Sequence, residues 1–158
     1  MSQTPTLAAF RRIVVKVGSS LLVDHAAGGL KRDWLAGLAA DIAGLHKDGR
    51  DIVVVSSGAI ALGFPALGLT SRPKDLAGLQ ASAAAGQSKL MWRWGEAFGA
   101  HKLEVAQVLL THADLRDRRR YLNARQAFMR LLEAGVVPIV NENDTVAVDE
   151  IKVGDNDS

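Results

Sequence analysis

Four clusters of side chains in this sequence have types and spacings that could do chemistry. Lys16 stands in a run of valines, two residues before Gly18-Ser19. A lysine there is costly unless its ammonium reaches water or an anion. Two readings are open: it snorkels from a strand end into solvent, or it binds a phosphate, with the N–H groups of Gly18 and Ser19 turned toward the same anion. The string is not a Walker A loop, since no GxxxxGK followed by Ser or Thr occurs, and no GxGxxG follows either valine-rich run. Ser57-Gly58 follows the second such run. Ser57 either caps the next helix, worth about 1 kcal/mol, or binds a ligand with the free N–H groups of the helix start, which suit a carboxylate as well as a phosphate. Asn141-Glu142-Asn143-Asp144 and Asp155-Asn156-Asp157 are short polar side chains that serve as turn formers or as acceptors for an ammonium group. With anion donors at some clusters and cation acceptors at others, an amino acid would satisfy both.

Composition narrows the classes. The 158 residues suit one domain, and 48% hydrophobic content is enough for a core. There is no cysteine, so disulfides and thiolate metal sites are excluded. His25, His46, His101 and His112 are scattered without ligand spacing, and no metal site is expected. No apolar run has transmembrane length and the first residues lack the order of a signal peptide, so a cytoplasmic protein without membrane contact is expected. The net charge of +2 hides an asymmetry: residues 141–158 carry six acids and one base. The dense basic run Arg116–Arg120 lies in a helical pattern and includes an acid, and aromatic residues are only 5%; a solvated helix face is expected there rather than a nucleic-acid interface.

The clusters must be positioned by the elements around them. Arg12–Val17 and Asp51–Val55 are β-branched runs ending in small residues, and read as buried strands. Between them Leu35, Leu38, Ile42 and Leu45 make a helical stripe, with Asp33 near its start and Gly49 as its stop. Residues 59–67 begin as helix and 68–73 form a loop. Asp75–Lys102 reads as a long helix whose glycines (Gly78, Gly86, Gly95) mark close packing or a break. Leu103–Leu110 is a third strand. Asn123–Ala134 is a helix with Ala124, Ala127, Phe128, Leu131 and Leu132 inward, and Val136–Val140 is a fourth strand. The alternation predicts an α/β three-layer sandwich with a mostly parallel sheet. Ligands of such sheets bind beyond the carboxyl ends of the strands. Gly18-Ser19-Ser20, Ser56-Ser57-Gly58, Thr111-His112 and Asn141–Asp144 all follow strands, so a common cleft containing Lys16, Ser57 and Asp144 is expected.

The strings "VVKVGSS", "VVVSSGAIALG", "SAAAGQSKLM", "VLLT", "YLNAR" and "VPIVNENDTVAVDEIKVGDND" occur in that order and resemble the glutamate 5-kinase family of the amino acid kinase superfamily. The last string is the most specific. The resemblance implies ATP-dependent phosphorylation of the L-glutamate side-chain carboxylate, the first step of proline synthesis, with ATP and Mg²⁺ as cofactors. It implies that Lys16 contacts the ATP phosphates, with Gly18 and Ser19 as the glycine-containing loop. It further implies that Ser57, Gly58, Asp144 and Asn156 hold glutamate, and that Asp157 orients catalytic lysines. Residues 1–158 would then be an incomplete amino acid kinase domain, its glutamate-binding part, without the nucleotide-binding half and PUA domain that follow in the family. The isolated chain is expected to be inactive and to self-associate through an uncovered apolar face. Proline is a further expected ligand, as the family's feedback inhibitor. The alternative from another class is a non-catalytic glutamate- or proline-binding or dimerisation module.

Overall fold

The computed structural model describes residues 6–24 and 29–147. Asn156 and Asp157 therefore lie outside the described residues. Four strands, β1 (Arg12–Val17), β4 (Asp51–Ser56), β5 (Val105–Leu110) and β6 (Val137–Glu142), form one parallel sheet in the order β1-β4-β6-β5. A short hairpin of β2 (Val23–Asp24) and β3 (Gly29–Leu30) follows the one-turn helix α1 (Ser19–Leu22). Because all four long strands are parallel, their carboxyl ends share one edge of the sheet.

Helices cover both faces unequally. On one face lie α2 (Arg32–Lys47), the short α3 (Ala59–Gly63) and α4 (Leu76–Gly99); on the other lies α6 (Arg118–Glu133), preceded by α5 (His112–Arg116). The first face holds the core. Ile13 and Val17 of β1, Ile52 and Val54 of β4, and Val137 and Ile139 of β6 meet Leu35, Ala39 and Ile42 of α2 and Leu90, Trp94 and Phe98 of α4. These α2 residues step by four and three, so the predicted stripe is the buried one, and Gly49 follows it at φ +83°. Trp94 and Phe98 are fully buried with ring centroids 5.8 Å apart, and the Trp94 indole N–H donates to Ser56 Oγ at 3.0 Å.

The other face is thinner. No residue of α6 is buried, and Ala127, expected inward, is exposed. Val14, on the same side of β1, is 61% exposed. The α6 helix also begins five residues earlier than its apolar pattern implied. Asp117 accepts from Arg120 N at 2.8 Å and caps it, so the basic run spans the last residue of α5, the cap and the first turn of α6. The long α4 is continuous through its glycines. A Cβ on Gly86 would overlap the Ala59 carbonyl oxygen, and one on Gly63 would overlap that of Ser82, so α3 and α4 cross at backbone contact. Gly95 meets no such contact. The third strand starts at Val105 because the chain first turns through Lys102 at φ +58°.

Candidate active site

Each strand end is held by hydrogen bonds of its own. At the end of β1 and β4, Ser57 donates twice to the Val17 carbonyl oxygen, from N and from Oγ, both at 3.1 Å. This corrects the capping expectation. Gly58, not Ser57, is the N-cap of α3, and no side chain caps that helix. Gly58 takes φ +102°, a conformation that favours glycine, and its α-carbon faces Val23 and Ser19. The turn thus directs the start of α3 over the sheet edge, and the glycine crossing with α4 holds it there.

At the end of β6 the sheet runs two residues further than its apolar run. Leu109 pairs with Asn141 and Leu110 with Glu142, so both belong to the strand rather than to a loop. Their polar side chains gave no strand signal; the hydrogen-bonding edge of β5 decided it. Asn141 is buried on the α4 side. Its Nδ2 donates to Gln87 Oε1 at 2.8 Å, its Oδ1 accepts from Glu142 N at 2.9 Å, and Gln87 Nε2 donates onward to Gln107 Oε1 at 3.2 Å. This chain of amides joins α4, β5 and β6. Beyond it, Ala147 N donates to Asn143 O at 3.0 Å, closing the turn that presents Asp144.

These ends meet in a cavity of about 440 Å³. Ser19, Ser57, Gly58, Asn141, Glu142 and Asp144 all line it, and so does Arg72, from the loop before α4. Four expected residues, Ser19, Ser57, Gly58 and Asp144, are therefore brought together. Burial pushes the Asp144 carboxyl above its ordinary value, against the opposing pull of Arg72. Glu142 is raised by burial and by the neighbouring Asp144, with His112 acting the other way.

Lys16 does not share the cavity wall. It pairs with Val55 in the sheet, two residues before Ser57, but alternation sends its side chain with Arg12 and Val14 toward the α6 side, where it is exposed. The expected common cleft thus holds Ser57 and Asp144, with Lys16 at the same edge on the opposite sheet face. Gly18 is the N-cap of α1 in extended conformation, and its position also lies outside the lining residues. Thr111 is committed elsewhere. It caps α5 in a capping box with Asp114, donating from N and Oγ1 to the carboxylate at 2.8 Å each.

Arg72 and Gln87 were not visible as site residues. Arg72 sits between Ser71 and Pro73 with no periodicity to place it. Gln87 carried one faint signal: a polar residue beside the apolar stripe of α4, between Ala83 and Leu90.

A parallel α/β sheet with a cavity carrying polar and charged side chains beyond its strand ends defines a class of ligand-binding α/β proteins. Within it, the chain belongs to the amino acid kinase family, which it matches over residues 11–158. It is 58% identical over 153 residues to a glutamate 5-kinase of Rhodopseudomonas palustris, covering 97% of this chain and 41% of that protein. It is 54% identical over 154 residues to a glutamate 5-kinase of Bradyrhizobium diazoefficiens, covering 98% of this chain and 41% of that protein. The chain thus spans about two fifths of the length of these relatives. Among solved structures it is similar to an isopentenyl phosphate kinase of T. acidophilum in a product complex, at TM-score 0.57 and 17% identity over 83% of this chain and 54% of that one, a likeness of fold. Among the described residues, no helix is long and apolar enough to cross a membrane.

Proposed function

We propose that this chain is the glutamate-binding part of an enzyme that phosphorylates the side-chain carboxylate of L-glutamate with ATP. Ser57, Gly58 and Asp144 line a single cavity although they come from separate strand ends, and this observation carries the reading. In it, the start of α3 and Ser57 hold carboxylate oxygens, and Asp144 accepts from the ammonium group, with Asn156 as a further ligand. Lys16, Gly18 and Ser19 hold ATP phosphates at the same sheet edge, and Asp157 orients the catalytic lysines. Mg²⁺ is assigned to the nucleotide's phosphates; among the described residues no group of three His, Cys, Asp or Glu is gathered for it.

The chemistry asks little of a general base. A glutamate side chain has a pKa of about 4.3, so the nucleophile is already ionised at neutral pH. The barrier is the approach of one anion to another, which positioning and fixed positive charge lower. In this reading the nucleotide half and any PUA domain belong to the longer protein, the reaction is cytoplasmic, and the chain alone does not turn over ATP. The exposed Val14 face would favour self-association.

Calorimetry on this chain tests the proposal. Glutamate should bind and ATP should bind weakly or not at all. Proline binding without glutamate binding would instead favour a non-catalytic sensing module, and steady glutamyl phosphate formation in a coupled assay would refute inactivity. Elution as a clean monomer in size-exclusion chromatography would count against self-association.

A further inference from the structure

We propose that Arg72 reads the α-carboxylate of the substrate, and that Arg72 and Asp144 together form the recognition site for an amino acid's zwitterionic head. The proposal rests on the glutamate reading above.

The cavity wall is acidic. Glu142 and Asp144 both face it, and Arg72 is the one cation among the described residues that line it. Glutamate carries two carboxylates and one ammonium. An anion of that kind entering beside two carboxylates is repelled unless a cation compensates, and like charges at close range carry a large cost. Arg72 is that compensating charge.

Its placement favours one of the two carboxylates. Arg72 and Asp144 line the same cavity, and the Arg72 charge opposes the effect of burial at Asp144. A cation beside an anion matches the α-carbon of an amino acid, where carboxylate and ammonium share one atom. The reacting side-chain carboxylate needs an oxygen lone pair free toward the phosphate, and a guanidinium fork would engage both of its oxygens. The α-carboxylate has no such restriction.

The loop also suits the task. Asp75, three residues on, accepts from Gly78 N at 2.7 Å and caps α4, so the backbone is anchored. The Arg72 side chain itself is exposed and can turn from Asp144 to an arriving carboxylate.

The test is equilibrium dialysis on the 158-residue chain with labelled glutamate, competed by glutamine (no side-chain carboxylate) and by 4-aminobutyrate (no α-carboxylate). Arg72→Gln should weaken glutamate at least tenfold. It should collapse the preference for glutamate over 4-aminobutyrate and leave the preference over glutamine unchanged. Arg72→Lys should recover part of the loss. Lys74→Gln, an exposed charge in the same loop but not in the cavity wall, should change nothing. Glutamate binding by Arg72→Gln at wild-type affinity would overturn the proposal, as would a loss confined to discrimination against glutamine. If the unaltered chain retains no glutamate at all, the reading beneath the proposal fails, and the proposal with it.

Discussion

The ends of β5 and β6 are neighbours in one sheet, and both lead into polar residues, yet they have opposite fates. After β5, Thr111 and Asp114 satisfy one another, and Arg120 adds a bond to the Asp114 carboxylate at 3.0 Å. These bonds, the Thr111 hydroxyl first, hold the Asp114 carboxyl below its ordinary value. At the end of β6, Asn141 is engaged by a helix 54 residues away in sequence. Glu142 and Asp144 are left facing a cavity, and burial raises both carboxyls. A polar strand end with local partners is a cap. One whose charges are desolvated at the wall of a cavity has capacity left for a ligand.

That contrast can be broken by removing the scaffold under one side. Gly86→Val would force α3 off α4 and cost about 4 kcal/mol, among the largest single-site effects. Chemical denaturation should report this loss, with glutamate binding lost as well. Asp144→Ala leaves the scaffold intact and removes an acceptor. The expected result is a loss of about 100-fold in glutamate affinity, within the range for truncating one partner of a charged pair. Asp114→Ala should leave that affinity unchanged, and calorimetry on the two variants checks the distinction. Thr111→Ala should cost about 1 kcal/mol of stability through the lost cap, again with unaltered binding.

The smallest effect sharpens the comparison through pH. Folding raises the Asp144 pKa, so as pH rises above about 3.8 the unfolded chain releases that proton first, and stability declines through the window up to the folded value. Folding lowers the Asp114 pKa, so the stability it adds is complete above about 3.8 and is lost as pH falls through the folded value. Asp144→Asn should therefore raise Tm at neutral pH and Asp114→Asn should lower it, with both differences fading in acid. Thermal unfolding from acid to neutral pH would show whether the signs are opposite.

Much of the framework was legible because local patterns carry it. The valine runs became parallel strands, the Leu35–Ile42 stripe became the buried face of α2, and Gly49 ended it as its conformational freedom allows. Ser57 and Asp144 could be placed at the carboxyl edge from strand order alone. What was misread depended on neighbours distant in sequence. Ser57 looked like a cap until Val17 supplied its acceptor, and Asn141 looked like a loop residue until β5 and Gln87 engaged it. Ala127 fits the apolar stripe of α6, but the sheet beneath does not cover it.

The linear order of residues determined periodicity, strand direction and the polarity of every strand end, since each follows from side chains within a few positions of one another. Only the tertiary structure decided which ends share a cavity. It put Lys16 on the opposite sheet face from Ser57, spent Thr111 on a cap, and brought Arg72 and Asp144 to one cavity wall. The physical reason is that desolvation and charge pairing depend on distance in space, and α3, whose start lines the cavity, meets α4 in backbone contact at Gly63 and Gly86.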